Sequence, residues 1–257
     1  MKCGQWPSVN RRLQFLVVGA QKSGTTALAT YLRKNPQLFI PDQKEIHYFD
    51  NEHLDWDDTD LSVLHRNFAK AKQSQIWGEA TPISMYWDTA PKRIWQYNPD
   101  MRLIVVLRNP IDRAYSHWAM EHSRGNDPLN FEEALTLEDK RCRAALPLQH
   151  RVFSYVDRGF YSCQLRRLWR FFGHKAVLVL RHEELLQHPG KCLTSIWKHI
   201  GVDPPGEPIS QVIIHKGVYK NQMSPKAHHQ LRKIFWQEIC QLESLLGWDC
   251  SEWLQKK

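Results

Sequence analysis

Three short segments of this chain hold residue types and spacings that can do chemistry. The first is Gly19-Ala20-Gln21-Lys22-Ser23-Gly24-Thr25-Thr26, which follows the apolar run Phe15-Leu16-Val17-Val18. A buried strand, a tight turn with a glycine at each end and the start of a helix present backbone N–H groups and a helix N-terminus to an anion, usually a phosphate. Gly19, Gly24 and Thr26 keep the spacing of the ATPase phosphate loop G-x-x-x-x-G-K-[ST]. Thr25 stands where that loop has its lysine, and the one lysine present, Lys22, lies two residues before the second glycine. The loop is suited to hold a phosphate, but it lacks the group that grips a γ-phosphate, which points away from ATP. Lys22 is placed to reach a phosphate or a transferring anionic group, while Ser23, Thr25 and Thr26 supply hydroxyls.

The second segment is Arg108-Asn109-Pro110-Ile111-Asp112-Arg113-Ala114-Tyr115-Ser116, directly after the apolar run Leu103–Leu107. An arginine fork at a strand end and a serine two helical turns later make a cradle for a second phosphate. Two phosphate sites at two strand ends suggest a bisphosphorylated nucleotide. The third is Lys44-Glu45-Ile46-His47-Tyr48-Phe49-Asp50. If extended, Glu45 and His47 share one face, opposite Lys44, Ile46 and Tyr48. Glu45 and His47 would then form a general-base pair. The same residues also suit a charged, exposed strand end.

In this order, K-x-G-T-T (Lys22 to Thr26), K-E-x-H-x-F (Lys44 to Phe49) and L-R-x-P-x-x-R-x-x-S (Leu107 to Ser116) resemble the sulfotransferases that use 3′-phosphoadenosine 5′-phosphosulfate (PAPS). The carbohydrate branch, with heparan sulfate O-sulfotransferases and nodulation-type enzymes, is the most similar. The resemblance spans about residues 14–250 and takes in Gly78-Glu79-Ala80-Thr81-Pro82 and Leu245-Leu246-Gly247-Trp248…Trp253. It implies that Gln21, Lys22, Ser23, Gly24, Thr25 and Thr26 bind the 5′-phosphosulfate, with Lys22 on the bridging oxygen. Arg108 and Ser116 would bind the 3′-phosphate, and Glu45 would take the proton of an acceptor hydroxyl, with His47 orienting it. A loop at His215–Gln222, with Gly217 in it, would close over the nucleotide and bring Lys216, Tyr219 or Lys220 near the 3′-phosphate. PAPS would be the donor, PAP the product, and no metal is required. Heparan-type enzymes often carry a lysine where this chain has Ala80, which counts against a uronic-acid polymer.

The elements that must position these groups alternate between strand and helix. Strands are expected at Phe15–Val18, Leu38–Ile40, Ile76–Glu79, Leu103–Leu107 and Val177–Leu180. Helices are expected at Thr25–Lys34, Leu61–Ala71, Thr89–Tyr97, Pro110 to His122, Phe131–Arg143, Phe160–Phe172, Gly190–Ile200 and Pro225–Leu246. Alternation of this kind predicts an α/β fold, a P-loop-like parallel sheet of about five strands with helices on both faces. A single sulfotransferase domain over residues 1–257 is the expected organisation.

The whole chain sets outer bounds. Its 257 residues, 42% apolar and 24% charged, are ordinary for a globular protein, and the formal charge is +8. That charge is scattered, at Lys22, Arg33-Lys34, Arg108 and Arg166-Arg167 among others, which favours a phosphorylated ligand over nucleic acid. Basic residues in Arg158–Arg170 form a candidate docking face for an acidic partner. Most of the eleven tryptophans are expected in or against the core, with Trp56, Trp87 and Tyr86 suited to an acyl chain or a sugar face. None of the six cysteines forms a C-x-x-C pair, so reduced thiols in a cytoplasmic protein are expected. No signal-peptide h-region or membrane span is read. The expected acceptor is a carbohydrate hydroxyl, with a β-hydroxyacyl chain on a carrier protein second. A P-loop kinase and a non-catalytic nucleotide-binding protein are the readings from other classes.

Overall fold

A computed structural model describes residues 11–206 and 222–255. In chain order the elements are β1 (Phe15–Gly19), α1 (Thr25–Arg33), β2 (Leu38–Phe39), α2 (Ser62–His65), β3 (Ile76–Ala80), α3 (Ala90–Tyr97), β4 (Arg102–Leu107), α4 (Pro110–Ser123), α5 (Phe131–Arg143), α6 (Tyr161–Phe172), β5 (Val177–Arg181), α7 (His182–Gln187), α8 (Pro189–Ile200) and α9 (Pro225–Leu246). The described residues of Met1–Ala20, Gly24–Val106 and Arg167–Ile214 form one compact unit. Those of Gln21–Ser23, Leu107–Arg166 and His215–Lys257 form a second.

The first unit holds the sheet, ordered β2-β3-β1-β4-β5. It is a five-stranded parallel sheet with helices around it. β1 pairs with β3 through Phe15↔Gly78 and Leu16↔Glu79, and with β4 through Phe15↔Arg102 and Val17↔Ile104. Both alternations of β1 and β4 are apolar because both faces are covered. Phe15, Val17, Ile104 and Val106 join Leu28 and Leu32 of α1 and Leu193, Ile196 and Trp197 of α8 in one cluster. Leu16, Val18, Leu103 and Val105 are buried as well. Burying each such side chain contributes about 1.5–3 kcal/mol. The strand order changes direction at β1, whose neighbours β3 and β4 both come later in the chain. Ligands of open α/β sheets bind beyond the carboxyl ends of strands at such a point.

The second unit is mainly helical, and its helix starts are written in the sequence. Asn109 caps α4, its side chain accepting from Ile111 N at 3.0 Å, and Pro110 occupies the first turn, where a missing N–H costs nothing. Asn130 and Glu133 form a reciprocal capping box on α5. Ser224 caps α9, and Gly247 ends it at φ 65°.

Two expectations need correction. Leu61–Ala71 is not one helix: α2 is a single turn, followed by a 3-10 turn at Arg66–Phe68. Before it, Glu52 takes a bidentate pair from Arg93 (2.8 and 2.6 Å) together with bonds from Trp87 and Thr89. The arginines of Arg158–Arg170 do not form one face. Arg158 is buried, and Arg167 is turned onto the carbonyls of Met85 and Tyr86 at 2.9 and 2.7 Å. Cys142, Cys192 and Cys240 are free thiols. No helix among the described residues is long and apolar enough to cross a membrane.

Candidate active site

Loop Gly19–Thr26 leaves β1 and ends on the first turn of α1. Gly24 is the residue before that helix, at φ 86°, a conformation that disfavours any residue with a Cβ. No side chain caps α1, and no acidic residue lies in its first turn. Its leading N–H groups are therefore left for an external acceptor, which fits a phosphate. Ser23 and Thr25 are buried, whereas Thr26 is exposed. The carboxyl end of the central strand β1 thus leads into the helix N-terminus at Thr25 and Thr26.

In the first unit, Thr26 is tied to the third sequence segment. Lys44 Nζ donates to Thr26 Oγ1 at 2.6 Å and pairs with Glu45 Oε1 at 3.0 Å. His47 joins two carboxylates, with Nε2 3.4 Å from Glu45 and Nδ1 2.8 Å from Asp50. Glu45 and His47 do come together, but not by strand alternation. Residues 44–48 are irregular, and both Glu45 (φ 61°) and His47 (φ 54°) are left-handed. Lys44, expected on the opposite face, is Glu45's own ion partner. The segment is held by Tyr48 and Phe49, both buried and in edge-to-face contact at 5.3 Å.

The electrostatics of this cluster follow from its contacts. Burial alone pushes Glu45 up. The His47 hydrogen bond and the Lys44 charge outweigh burial and hold the carboxyl below its usual range. His47 is pushed up to about 9, first by its bond to Asp50 and then by Glu45, against the opposing effect of burial. At neutral pH the pair is a carboxylate beside an imidazolium. Glu79, at the end of β3, is fully buried, and burial pushes it up to about 7 even though Thr81 Oγ1 donates to it at 2.7 Å. Asp50 and Glu79 were not singled out from the sequence. The spacing of Asp50 three residues after His47 was a usable signal, while the burial of Glu79 had none.

In the second unit, Lys22 has φ 71°, and its carbonyl accepts from Arg108 Nη1 at 3.2 Å. The Arg108 carbonyl in turn accepts from Tyr161 Oη at 3.0 Å. Ser116 is buried on α4. Gln21 accepts a hydrogen bond from Arg158 Nη1. His117, fully buried next to Ser116, is held well below its usual range by burial and then by Arg158, Arg113 and Lys22. Lys216, Gly217, Tyr219 and Lys220 lie outside the described residues.

The aromatic candidates divide. Trp87 and Tyr86 are buried, and Trp87 Nε1 is spent on Glu52 at 2.6 Å, so neither offers an open ring face. Trp56 is half-buried, with Arg93 over its ring at 4.1 Å. Trp95 and Trp236 are the exposed tryptophans among the described residues. Ala80, where a lysine is common in heparan-type relatives, is buried within the main apolar cluster.

Heparan sulfate glucosamine 3-O-sulfotransferase 6 of Mus musculus is 30% identical over 215 residues, covering 84% of this chain and 58% of that protein. Bifunctional heparan sulfate N-deacetylase/N-sulfotransferase 4 of Mus musculus is 28% identical over 204 residues, covering 74% of this chain and 22% of that protein. The chain thus spans about three-fifths or less of the length of these curated relatives. The crystal structure of a sulfotransferase from Alicyclobacillus acidocaldarius superposes with a TM-score of 0.82 at 26% identity, over 95% of this chain and 100% of that one. Residues 12–241 match the family described as the sulfotransferase domain. The chain belongs to the sulfotransferase domain family.

Proposed function

We propose that this chain, as one catalytic domain, transfers a sulfuryl group from PAPS to a carbohydrate hydroxyl and releases PAP. The observation that carries the reading is the coupling of an uncapped helix N-terminus to an ionised glutamate: Lys44 bridges Thr26, in the first turn of α1, to Glu45. PAPS supplies the activated sulfuryl group, whose S–O bond to the 5′-phosphate breaks as the acceptor oxygen bonds to sulfur.

The chain's own residues take distinct parts. Gln21, Ser23, Gly24, Thr25 and Thr26 hold the 5′-phosphate end through N–H groups and hydroxyls, and Lys22 offsets charge developing on the leaving oxygen. Arg108 and Ser116 read the 3′-phosphate, with a further contact expected from Lys216, Tyr219 or Lys220. Glu45 accepts the proton from the acceptor hydroxyl. Its carboxylate is already in the correct protonation state throughout the neutral range, because two cations flank it. His47, as imidazolium between Glu45 and Asp50, fixes the carboxylate's direction. The names of the relatives support a saccharide acceptor.

Calorimetric titration with PAP and with ADP in EDTA tests the reading. The two ligands differ in the position of one phosphate. Strong preference for PAP without metal is expected, and equal or ADP-favouring binding would return the kinase reading to first place.

A further inference from the structure

We propose that Arg158 is a positioning residue of the donor site: through Gln21 it holds loop Gly19–Thr26 in its anion-receiving shape. The inference rests on the reading of that loop as the donor phosphate site, and it adds a residue that lies 137 positions away in sequence.

The loop needs holding because Lys22 is left-handed at φ 71°. A residue with a Cβ keeps such a conformation only where its surroundings over-determine it. Guanidinium groups pin both flanks. Arg108 donates to the Lys22 carbonyl at 3.2 Å, and Arg158 Nη1 donates to Gln21 Oε1. Arginine has only donors, so it selects the oxygen end of the amide and fixes which way Gln21 faces.

Arg158 is suited to the task because it is anchored on several sides. It is buried, with Nε donating to Ser154 Oγ at 2.8 Å and Nη2 donating to the Arg151 carbonyl at 2.6 Å. Its own carbonyl accepts from Gln164 Nε2 at 3.2 Å. The next residue, Gly159, sits so close to the Phe235 ring and Pro110 that a Cβ there would overlap them. The guanidinium is therefore mounted on packed backbone, and three of its nitrogens are directed at once. A lysine has one nitrogen and cannot reproduce that fork. Burial first, and then Arg158 with Arg113 and Lys22, also holds His117 well below its usual range.

A double-mutant cycle tests the proposal, with Arg158→Met, Gln21→Leu and the pair titrated with PAP in EDTA. Inorganic pyrophosphate serves as a probe that does not depend on the nucleotide. Each single change is expected to weaken PAP about tenfold, the scale of one buried charged hydrogen bond. The double variant should be no weaker than about twofold beyond the worse single, since both remove one contact. A purely structural role for Arg158 predicts losses that multiply, and that result overturns the proposal, as does full affinity in Gln21→Leu. If Arg158→Met does not fold, Arg158→Lys keeps the charge. Its deficit should then vanish in the Gln21→Leu background, and a deficit that persists there overturns the proposal. Failure of the wild type to bind PAP, with the same coupling seen for pyrophosphate, would sink the nucleotide reading and leave the role of Arg158 standing. Pyrophosphate binding without coupling would sink the proposal.

Discussion

At the scale of single residues, the proposed chemistry turns on Glu45 and the two cations that flank it. Glu45→Gln keeps the shape but removes the carboxylate, and its amide nitrogen can accept from neither Lys44 nor His47. Turnover should fall by about 10²-fold or more while PAP affinity is unchanged, and steady-state kinetics beside calorimetry separates the two. Undiminished turnover would remove Glu45 from the mechanism. The imidazolium of His47 gives a second handle. Its bonds to Asp50 and Glu45 push it up to about 9, so the charged form persists through neutral pH and is lost as pH rises through that value. The kcat–pH profile should show an alkaline limb near there, and His47→Gln should lose it. A limb that survives in the variant would assign it to another group.

At the scale of elements, two glycines set where β1, β3 and α1 can go. Gly24 must adopt φ 86°, and a Cβ placed there would lie 3.1 Å from His182 Nδ1. Gly24→Ala should cost about 1–2 kcal/mol from the left-handed backbone alone, and it should weaken PAP because the loop and helix start shift together. Urea denaturation with PAP titration checks both effects. Gly78 lies opposite Phe15 in the β1–β3 ladder, and a Cβ there would overlap the Phe15 ring. Gly78→Ala should cost about 1–3 kcal/mol as an overpacked core does. Its effect on PAP should be smaller than that of Gly24→Ala, since β3 does not carry the loop.

At the scale of the whole molecule, stability should respond to two buried carboxyls, one in each unit. Burial pushes both Glu79 and Glu138 up to about 7, from an ordinary value of 4.5. Glu138 stays that high even though it accepts the N–H groups of Val156 and Asp157. A carboxyl whose folded value is raised binds more protons in the folded state between those limits. Its contribution is full below about pH 4.5 and is lost as pH rises through about 7. The melting temperature should therefore decline across that window. Glu79→Gln and Glu138→Gln, each neutral at all pH values, should flatten the decline. An unchanged slope in both variants would show that neither group is raised in the fold.

Much of this protein was determined within short stretches of its sequence. Apolar runs at Phe15–Val18 and Leu103–Leu107 sit inside β1 and β4, and α5 and α9 occupy Phe131–Arg143 and Pro225–Leu246 as read from periodicity. The glycine spacing of the loop and the proline opening α4 were legible for the same reason: backbone preference and capping act over a few residues. The approach of Glu45 to His47 was expected, but its cause was not. Alternation presumes an extended strand, whereas buried Tyr48 and Phe49 and the ion partners on either side hold two left-handed residues. Tertiary structure alone decided that Trp87 is spent on Glu52, that Glu79 is dry and that Arg158 reaches Gln21. Those facts depend on desolvation and on contacts between residues far apart in the chain, which no local pattern encodes.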